Sequence, residues 1–318
     1  MSLRSCQEFL RAMHASPALR QQLKSITATP ELVRLGQRHG YDFDLREFAE
    51  ASSSFEGPPA ASADAPSQET PSQETPSREA RPEEAPPRET TFLHHEYAME
   101  DLPGFEPVLD ALPDLKVRPP SVDLDAFDRG FRAEDLATTS MSPADPQFQR
   151  WNAEMMAAHW RDPGAGSDAE RRDFHLVNLD QHVDHAGYDR YFDAKNRVIE
   201  ALEKLFGSDV RFSGSLWYPP SGYRLWHTNE TQPGWRMYVI DFDGPFADPA
   251  DTSFFRYQNP RTGEIVTLPE RPRIVRFFKA EQDPDRLFWH CIVNPTERHR
   301  WSFGFVVPEN WADAIEGA

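Results

Sequence analysis

Tyr218-Pro-Pro-Ser-Gly-Tyr-Arg-Leu-Trp-His-Thr-Asn-Glu230 decides how the C-terminal part of this chain is read. Pro219-Pro-Ser-Gly222 is turn chemistry, and the aromatic run that follows favours a strand. On a regular strand Tyr223, Leu225, His227 and Asn229 share one face, and Arg224, Trp226 and Thr228 the other. Similar short runs cover 210–218, 235–242, 253–257, 265–268, 274–278, 287–293 and 300–307. Gln232-Pro-Gly234, Asp243-Gly-Pro245 and Asn259-Pro-Arg-Thr-Gly263 punctuate them. Short strands at this spacing predict a mainly β domain with flanking helices, a β-sandwich or a jelly roll (double-stranded β-helix), with core strands over about 208–308.

Upstream, the stretch from Tyr188 to Phe206 carries a helical apolar stripe ending at Gly207, and Trp151 to Trp160 also reads as helix. Residues 91–150 read as loop-rich, broken at Leu102-Pro103, Leu112-Pro113 and Arg118-Pro-Pro120. Residues 51–90 form a linker in which Pro66-Ser-Gln-Glu-Thr70 recurs as Pro71-Ser-Gln-Glu-Thr75. So few apolar side chains predict disorder and a tethering role. Residues 1–50 read as a small helical module. Ser16-Pro17 and Thr29-Pro30 mark helix starts, Gly40 a stop, and Asp44 with Glu47 a capping box. The domains expected are therefore 1–50, 51–90 and 91–318.

Composition narrows the function. The chain has 318 residues, a formal net charge of −18 and two cysteines, Cys6 and Cys291; mean hydropathy is −0.69. The negative charge argues against nucleic-acid binding. No apolar run approaches the roughly 20 residues that span a bilayer, and no signal-peptide pattern opens the chain. Two well-separated cysteines predict no disulfide framework, and a reducing cytoplasm is the expected setting. Oligomeric state is not encoded legibly.

The candidate chemistry lies at His227, His290 in Phe288-Trp-His-Cys291, and Arg300 in Arg300-Trp-Ser-Phe303. Oxygen-activating iron(II) sites hold the metal by two histidines and usually one carboxylate, leaving open positions for a co-substrate and O2. His227 and His290 are the expected ligands, with Asn229 as a third candidate: it ligates the metal, holds water or contacts the co-substrate. Arg300 and Ser302 share a strand face, a fork plus a hydroxyl suited to a carboxylate. A small dicarboxylate that chelates iron at one end and meets arginine at the other is 2-oxoglutarate.

His227-x-Asn229, His290 and Arg300-x-Ser302 resemble the signature of 2-oxoglutarate- and iron(II)-dependent oxygenases, and within them the aspartyl/asparaginyl β-hydroxylase-like branch. Arg236-Met-Tyr238 and Arg300-Trp-Ser-Phe-Gly-Phe-Val-Val-Pro-Glu-Asn-Trp311 are similar to segments of that branch. The resemblance covers about residues 150–311. It implies iron ligation by His227 and His290, a distal carboxylate held by Arg300 and Ser302, and Arg236 and Tyr238 on the keto-acid end or an acidic substrate. Most of these oxygenases carry Asp or Glu where this chain has Asn229. The first 50 residues, through Phe9-Leu10, Leu19-Arg-Gln-Gln-Leu23, Pro30-Glu-Leu-Val33 and Gly40-Tyr-Asp-Phe43, resemble the leader-peptide-like helical domain associated with nitrogen-fixation genes, with a generic helical adaptor as the alternative. Together they imply hydroxylation of an Asp, Asn or other residue of a peptide or protein. The alternatives are a small-molecule oxygenase or halogenase, and a non-catalytic jelly-roll binding module. A rival metal cluster of His175, His182, Asp184 and His185 precedes the strand-rich half, and His94-His95 lies at the domain edge.

Overall fold

All eight predicted strand runs form strands. The computed structural model describes residues 3–54, 92–161, 172–248 and 250–316. From residue 55 on, the expected linker lies outside the described residues. The strands are β4 (Arg211–Tyr218), β5 (Tyr223–His227), β6 (Gly234–Phe242), β7 (Phe254–Gln258), β8 (Ile265–Pro269), β9 (Ile274–Ala280), β10 (His290–Val293) and β11 (Arg300–Val306). Three further strands come from the segment read as loop and the one after it: β1 (His94–Ala98), β2 (Phe174–His175) and β3 (Val177–Asn178). They join as antiparallel edge strands, giving sheets ordered β1-β9-β6-β11-β4-β3 and β2-β5-β10-β7-β8. The two sheets make the double-stranded β-helix.

Alternation holds on β11. Trp301, Phe303 and Phe305 point outward into the main apolar core, while Arg300 and Ser302 face the space between the sheets. That outer core is closed by α5 (Glu106–Leu115), α9 (Tyr188–Phe206) and α10 (Trp311–Glu316). Gly207 ends α9 in the left-handed region, φ 63°, where glycine carries no Cβ penalty. The five-stranded sheet is covered on its outer side by the segment with α6 (Leu124–Arg129), α7 (Ala133–Ala137) and α8 (Pro146–Arg161). There Trp226 and Cys291 pack with Phe148, and the Trp226 indole donates to the Thr138 carbonyl at 3.2 Å.

The N-terminal module contains α1 (Leu3–Ala15), α2 (Pro17–Leu23), α3 (Thr29–Arg38) and α4 (Leu45–Ser54). The capping box forms in both directions: Asp44 N–H donates to Glu47 at 3.0 Å and Glu47 N–H to Asp44 at 2.8 Å. Ser16 caps α2 through Leu19 N–H. The second start signal works differently from the expectation. Ala28 occupies the cap position of α3 without a side-chain bond, and Glu31 instead reaches back to the Thr27 N–H at 2.9 Å.

This module is docked on the oxygenase-like body. Cys6, Phe9, Leu19, Val33 and Leu35 belong to the same continuous core as the outer face of the six-stranded sheet. A polar clamp runs through the seam. Lys195 of α9 donates to Glu31 at 2.7 Å and to Asp180 at 2.9 Å, and all three are fully buried. Asp180 also accepts from the Tyr191 hydroxyl at 2.7 Å and from the Thr27 hydroxyl. Burial and the nearby Asp180 charge push the Glu31 carboxyl up to about 7 despite Lys195. Burial alone would lower the Lys195 ammonium, but the two carboxylates outweigh it and keep it charged. At the rim Lys24 pairs with Glu203 and Arg38 with Asp193.

Candidate functional site

His227 and His290 face each other directly in the β5–β10 register, with ring centroids 4.0 Å apart. Each ring is oriented by a backbone carbonyl two residues earlier: His227 Nδ1 donates to Leu225 O at 2.8 Å, and His290 Nδ1 to Phe288 O at 2.9 Å. A carbonyl only accepts, so Nδ1 carries the proton and Nε2 keeps the lone pair of a neutral ring. His290 is 2 % exposed, and burial first, then Arg224, Arg276 and Arg236, depresses it to about 3 against the pull of the Phe288 carbonyl.

The pair forms through an irregularity that strand alternation does not foresee. His290 pairs with His227, but Ile292 pairs with Arg224, so β5 carries one extra residue in between. This β-bulge turns Leu225 and Trp226 both toward the outer clusters and brings Arg224 to the cavity with His227. The expectation that Arg224 lies on the face opposite His227 is corrected accordingly.

Asn229 lies beyond the end of β5, with its amide nitrogen 3.5 Å from His290 Nε2. Its oxygen and nitrogen exchange places by a simple flip. Among the described residues, no three His, Cys, Asp or Glu side chains gather as a metal site. The pair thus offers two imidazole Nε2 atoms with an amide beside them, and no carboxylate joins it among the described residues.

The other end of the cavity is built from buried guanidiniums. Arg300, 1 % exposed, lies 4.7 Å over the Tyr218 ring and lines the cavity with Ser302. Its anionic partner here is Glu270, which accepts from Nε at 2.7 Å and Nη2 at 2.9 Å. The fork expected to hold a co-substrate meets a carboxylate of the chain itself. Glu270 also accepts from Arg276 Nη1 at 2.8 Å and from the Ser253 hydroxyl at 2.6 Å. Burial would raise the Glu270 carboxyl, but Arg300 and Arg276 outweigh it and hold it at about 2. Burial keeps Tyr218 protonated, pushed up to about 12 even beside Arg300 and Arg224.

Tyr238 lines the cavity, its ring close over Gly304, where an added Cβ would sit 2.9 Å from Tyr238 Cε1 and 2.6 Å from Ser213 Oγ. Arg236 shares the β6 face with Tyr238 but is bonded to Gln232 at the strand's start, leaving Nε and Nη1 buried without partners. The space between the sheets, together with the open solvent at its mouth, comes to about 330 Å³. Phe255, Phe278 and Phe288 shield it around His290.

The rival histidines serve elsewhere. His175 stacks on Phe127 at 3.9 Å, His182 bonds Ser121, His185 accepts from Gly187 N–H, and His94 bonds the Tyr257 hydroxyl. Sequence reasoning missed Arg224, Glu270 and Arg276. Arg276 alone carried a signal, as the single charge in Ile274-Val-Arg-Phe-Phe278.

Comparison with known proteins adds the following. Residues 1–48 match the Nif11 domain. No curated protein matches the chain. Among solved structures, a Pseudomonas putida prolyl-4-hydroxylase is 15 % identical, with 48 % of this chain and 82 % of that one covered, at a TM-score of 0.27. A 2OG-Fe(II) oxygenase family oxidoreductase from Burkholderia pseudomallei is 12 % identical over 40 % and 60 %, TM-score 0.29. EctD from S. alaskensis, solved with 2-oxoglutarate and 5-hydroxyectoine, is 14 % identical over 61 % and 80 %, TM-score 0.27. At such scores the fold assignment rests on the two sheets themselves.

Proposed function

We propose that this chain is an iron(II)- and 2-oxoglutarate-dependent oxygenase that hydroxylates an unactivated C–H bond on an aspartate, asparagine or other residue of a peptide or protein. The observation that carries the reading is the facing pair His227 and His290, each tied through Nδ1 so that Nε2 is the acceptor, in a cavity whose far end presents guanidinium N–H groups. Bound iron(II) supplies oxygen activation: O2 is consumed with 2-oxoglutarate, giving succinate, CO2 and a hydroxylated product. His227 and His290 are the residues to hold the ion. Their carbonyl bonds keep the rings from turning and raise their basicity. Asn229 flanks His290 and offers its amide oxygen or a hydrogen bond. Arg300 Nη1 and the Ser302 hydroxyl face the space a carboxylate would occupy. Tyr238, backed by Arg236 on the same strand face, borders the co-substrate or an acidic substrate. The phenylalanine wall keeps water out, which strengthens every charge contact inside.

The Nif11 match supports a peptide substrate, since such domains are associated with peptide precursors. The test is succinate release by the iron-loaded full chain with candidate peptides, together with mass spectrometry. Succinate and a gain of one oxygen are expected with wild type, and neither with His290→Ala. A second reading has one specific support. No carboxylate joins the pair among the described residues, and a metal held by His227 and His290 without Asn229 would leave room for chloride. A chlorine mass increment on a small-molecule substrate would favour a halogenase instead.

A further inference from the structure

Arg300 has little left to offer a ligand. Glu270 takes its Nε and Nη2, and Nη1 is the buried donor still without a partner. Arg276 is committed too, with one bond to Glu270 and two to Glu96 at 2.8–3.1 Å. Two guanidiniums thus face two carboxylates, and the cluster is charge-neutral before any ligand arrives. An anion entering a dry slot needs an uncompensated cation, because burial of an unpaired charge is expensive.

Among the described residues, Arg224 is such a cation. The bulge in β5 turns it into the cavity, where regular alternation would have turned it to the outer face. Its Nε is buried without a hydrogen-bond partner. Its guanidinium lies 4.8 Å over the Phe174 ring, which fixes its plane without neutralising it. Tyr218 relates the two arginines: Arg300 lies over its ring, and the fields of both Arg300 and Arg224 reach its phenol.

We propose that Arg224 is the principal charged donor for the carboxylate of 2-oxoglutarate remote from its keto group, with Arg300 adding one N–H. This assignment rests on the oxygenase reading above. It separates two roles usually combined in one fork: Arg300 is a wall residue locked by Glu270 with one N–H to spare, and Arg224 supplies the charge that meets the ligand.

Calorimetry under nitrogen on the iron(II)-loaded full chain reads binding without turnover. The probes are 2-oxoglutarate and 2-oxobutyrate, which chelates alike but lacks the remote carboxylate. Arg224→Met should weaken 2-oxoglutarate by about 10-fold or more, the loss of one charge-assisted hydrogen bond, and leave 2-oxobutyrate within about 2-fold. Arg224→Lys, which keeps the charge and an unstrained strand position, should recover most of the loss. Unchanged 2-oxoglutarate affinity in Arg224→Met overturns the assignment while the oxygenase reading stands. Equal loss for both probes also overturns it, since Arg224 would then serve the chelating end. If wild type binds neither probe, the oxygenase reading itself fails.

Discussion

Lys195→Met removes the cation that Glu31 and Asp180 share in the seam between the helical module and the body. All three side chains are fully buried, at 2.7 and 2.9 Å. Removing one partner of a buried ionic group costs about 3–5 kcal/mol, because the remaining charges stay out of water. Two features soften the loss. Glu31, already raised to about 7, can discharge by taking up a proton near neutral pH. Asp180 keeps the Tyr191 hydroxyl, the Thr27 hydroxyl and the Ser215 N–H. The expected destabilisation is therefore the lower end, about 3 kcal/mol. Urea unfolding of the full chain at pH 7.5, followed by tryptophan fluorescence, reads it as a lowered midpoint. The double variant Lys195→Met/Glu31→Gln removes one cation and one anion and should lose less than the sum of the single variants. A loss under about 1 kcal/mol, or strict additivity, would refute a clamp at this seam.

Other outcomes follow from individual residues. The folded-state elevation of Glu31 stabilises the chain below the ordinary carboxylate range, near pH 4.5, and that contribution is lost as pH rises through about 7. Against wild type, Glu31→Gln should flatten the stability profile between those values; identical slopes by urea titration would contradict it. Glu270, held at about 2, works in the opposite sense: its contribution is present at neutral pH and lost as pH falls from about 4.5 through 2. Asn229→Asp places a carboxylate beside His290 and should tighten iron(II) by about 10-fold in competition with a chelator, a charged ligand replacing a neutral one. Unchanged affinity would mean that the side chain does not reach the ion. Gly304→Ala drives a methyl into Ser213 and the Tyr238 ring, and should lower stability by about 1–3 kcal/mol by thermal denaturation.

Much of this architecture is legible in the residues because strand periodicity and turn chemistry agree. Every run between Val210 and Val307 bounded by Pro, Gly or Asn became a strand. The Asp44/Glu47 box is local chemistry and needs no tertiary knowledge. What escaped depends on non-local events. The bulge beside His227 arises from pairing with β10, so no count along β5 reveals it, and it alone decides where Arg224 points. β2 and β3 span two residues each, too short for any period. Glu270 sits between two prolines in a turn, with nothing local to mark it as the partner of Arg300 and Arg276. Lys195 was readable in hindsight of its spacing. It occupies the stripe position between Tyr191 and Val198, where a solvated helix face would not place apolar neighbours on both sides.

The seam also changes what a truncation can mean. The module packs on the outer side of the six-stranded sheet, yet it holds β4, the strand that backs the cavity. Lys24 O accepts from Phe212 N–H at 2.8 Å, and Asp180, fixed by Thr27 and by the lysine shared with Glu31, accepts from Ser215 N–H at 3.2 Å. Leu216 and Tyr218 on the same strand face inward, and Tyr218 lies under Arg300. Cutting away the helices would strip a backbone bond and a clamp from that strand and bare Lys195 and the outer core. Loss of activity in such a chain would report a weakened cavity wall before it reported failed recruitment of a peptide. Recruitment has to be probed through module residues that support nothing else, such as Leu45, 49 % exposed, and the exposed Arg46 next to it. If substitutions there leave both stability and peptide turnover untouched while Lys195→Met lowers stability as expected, the helical module is part of the fold's frame and the proposed peptide recognition lies at the cavity mouth.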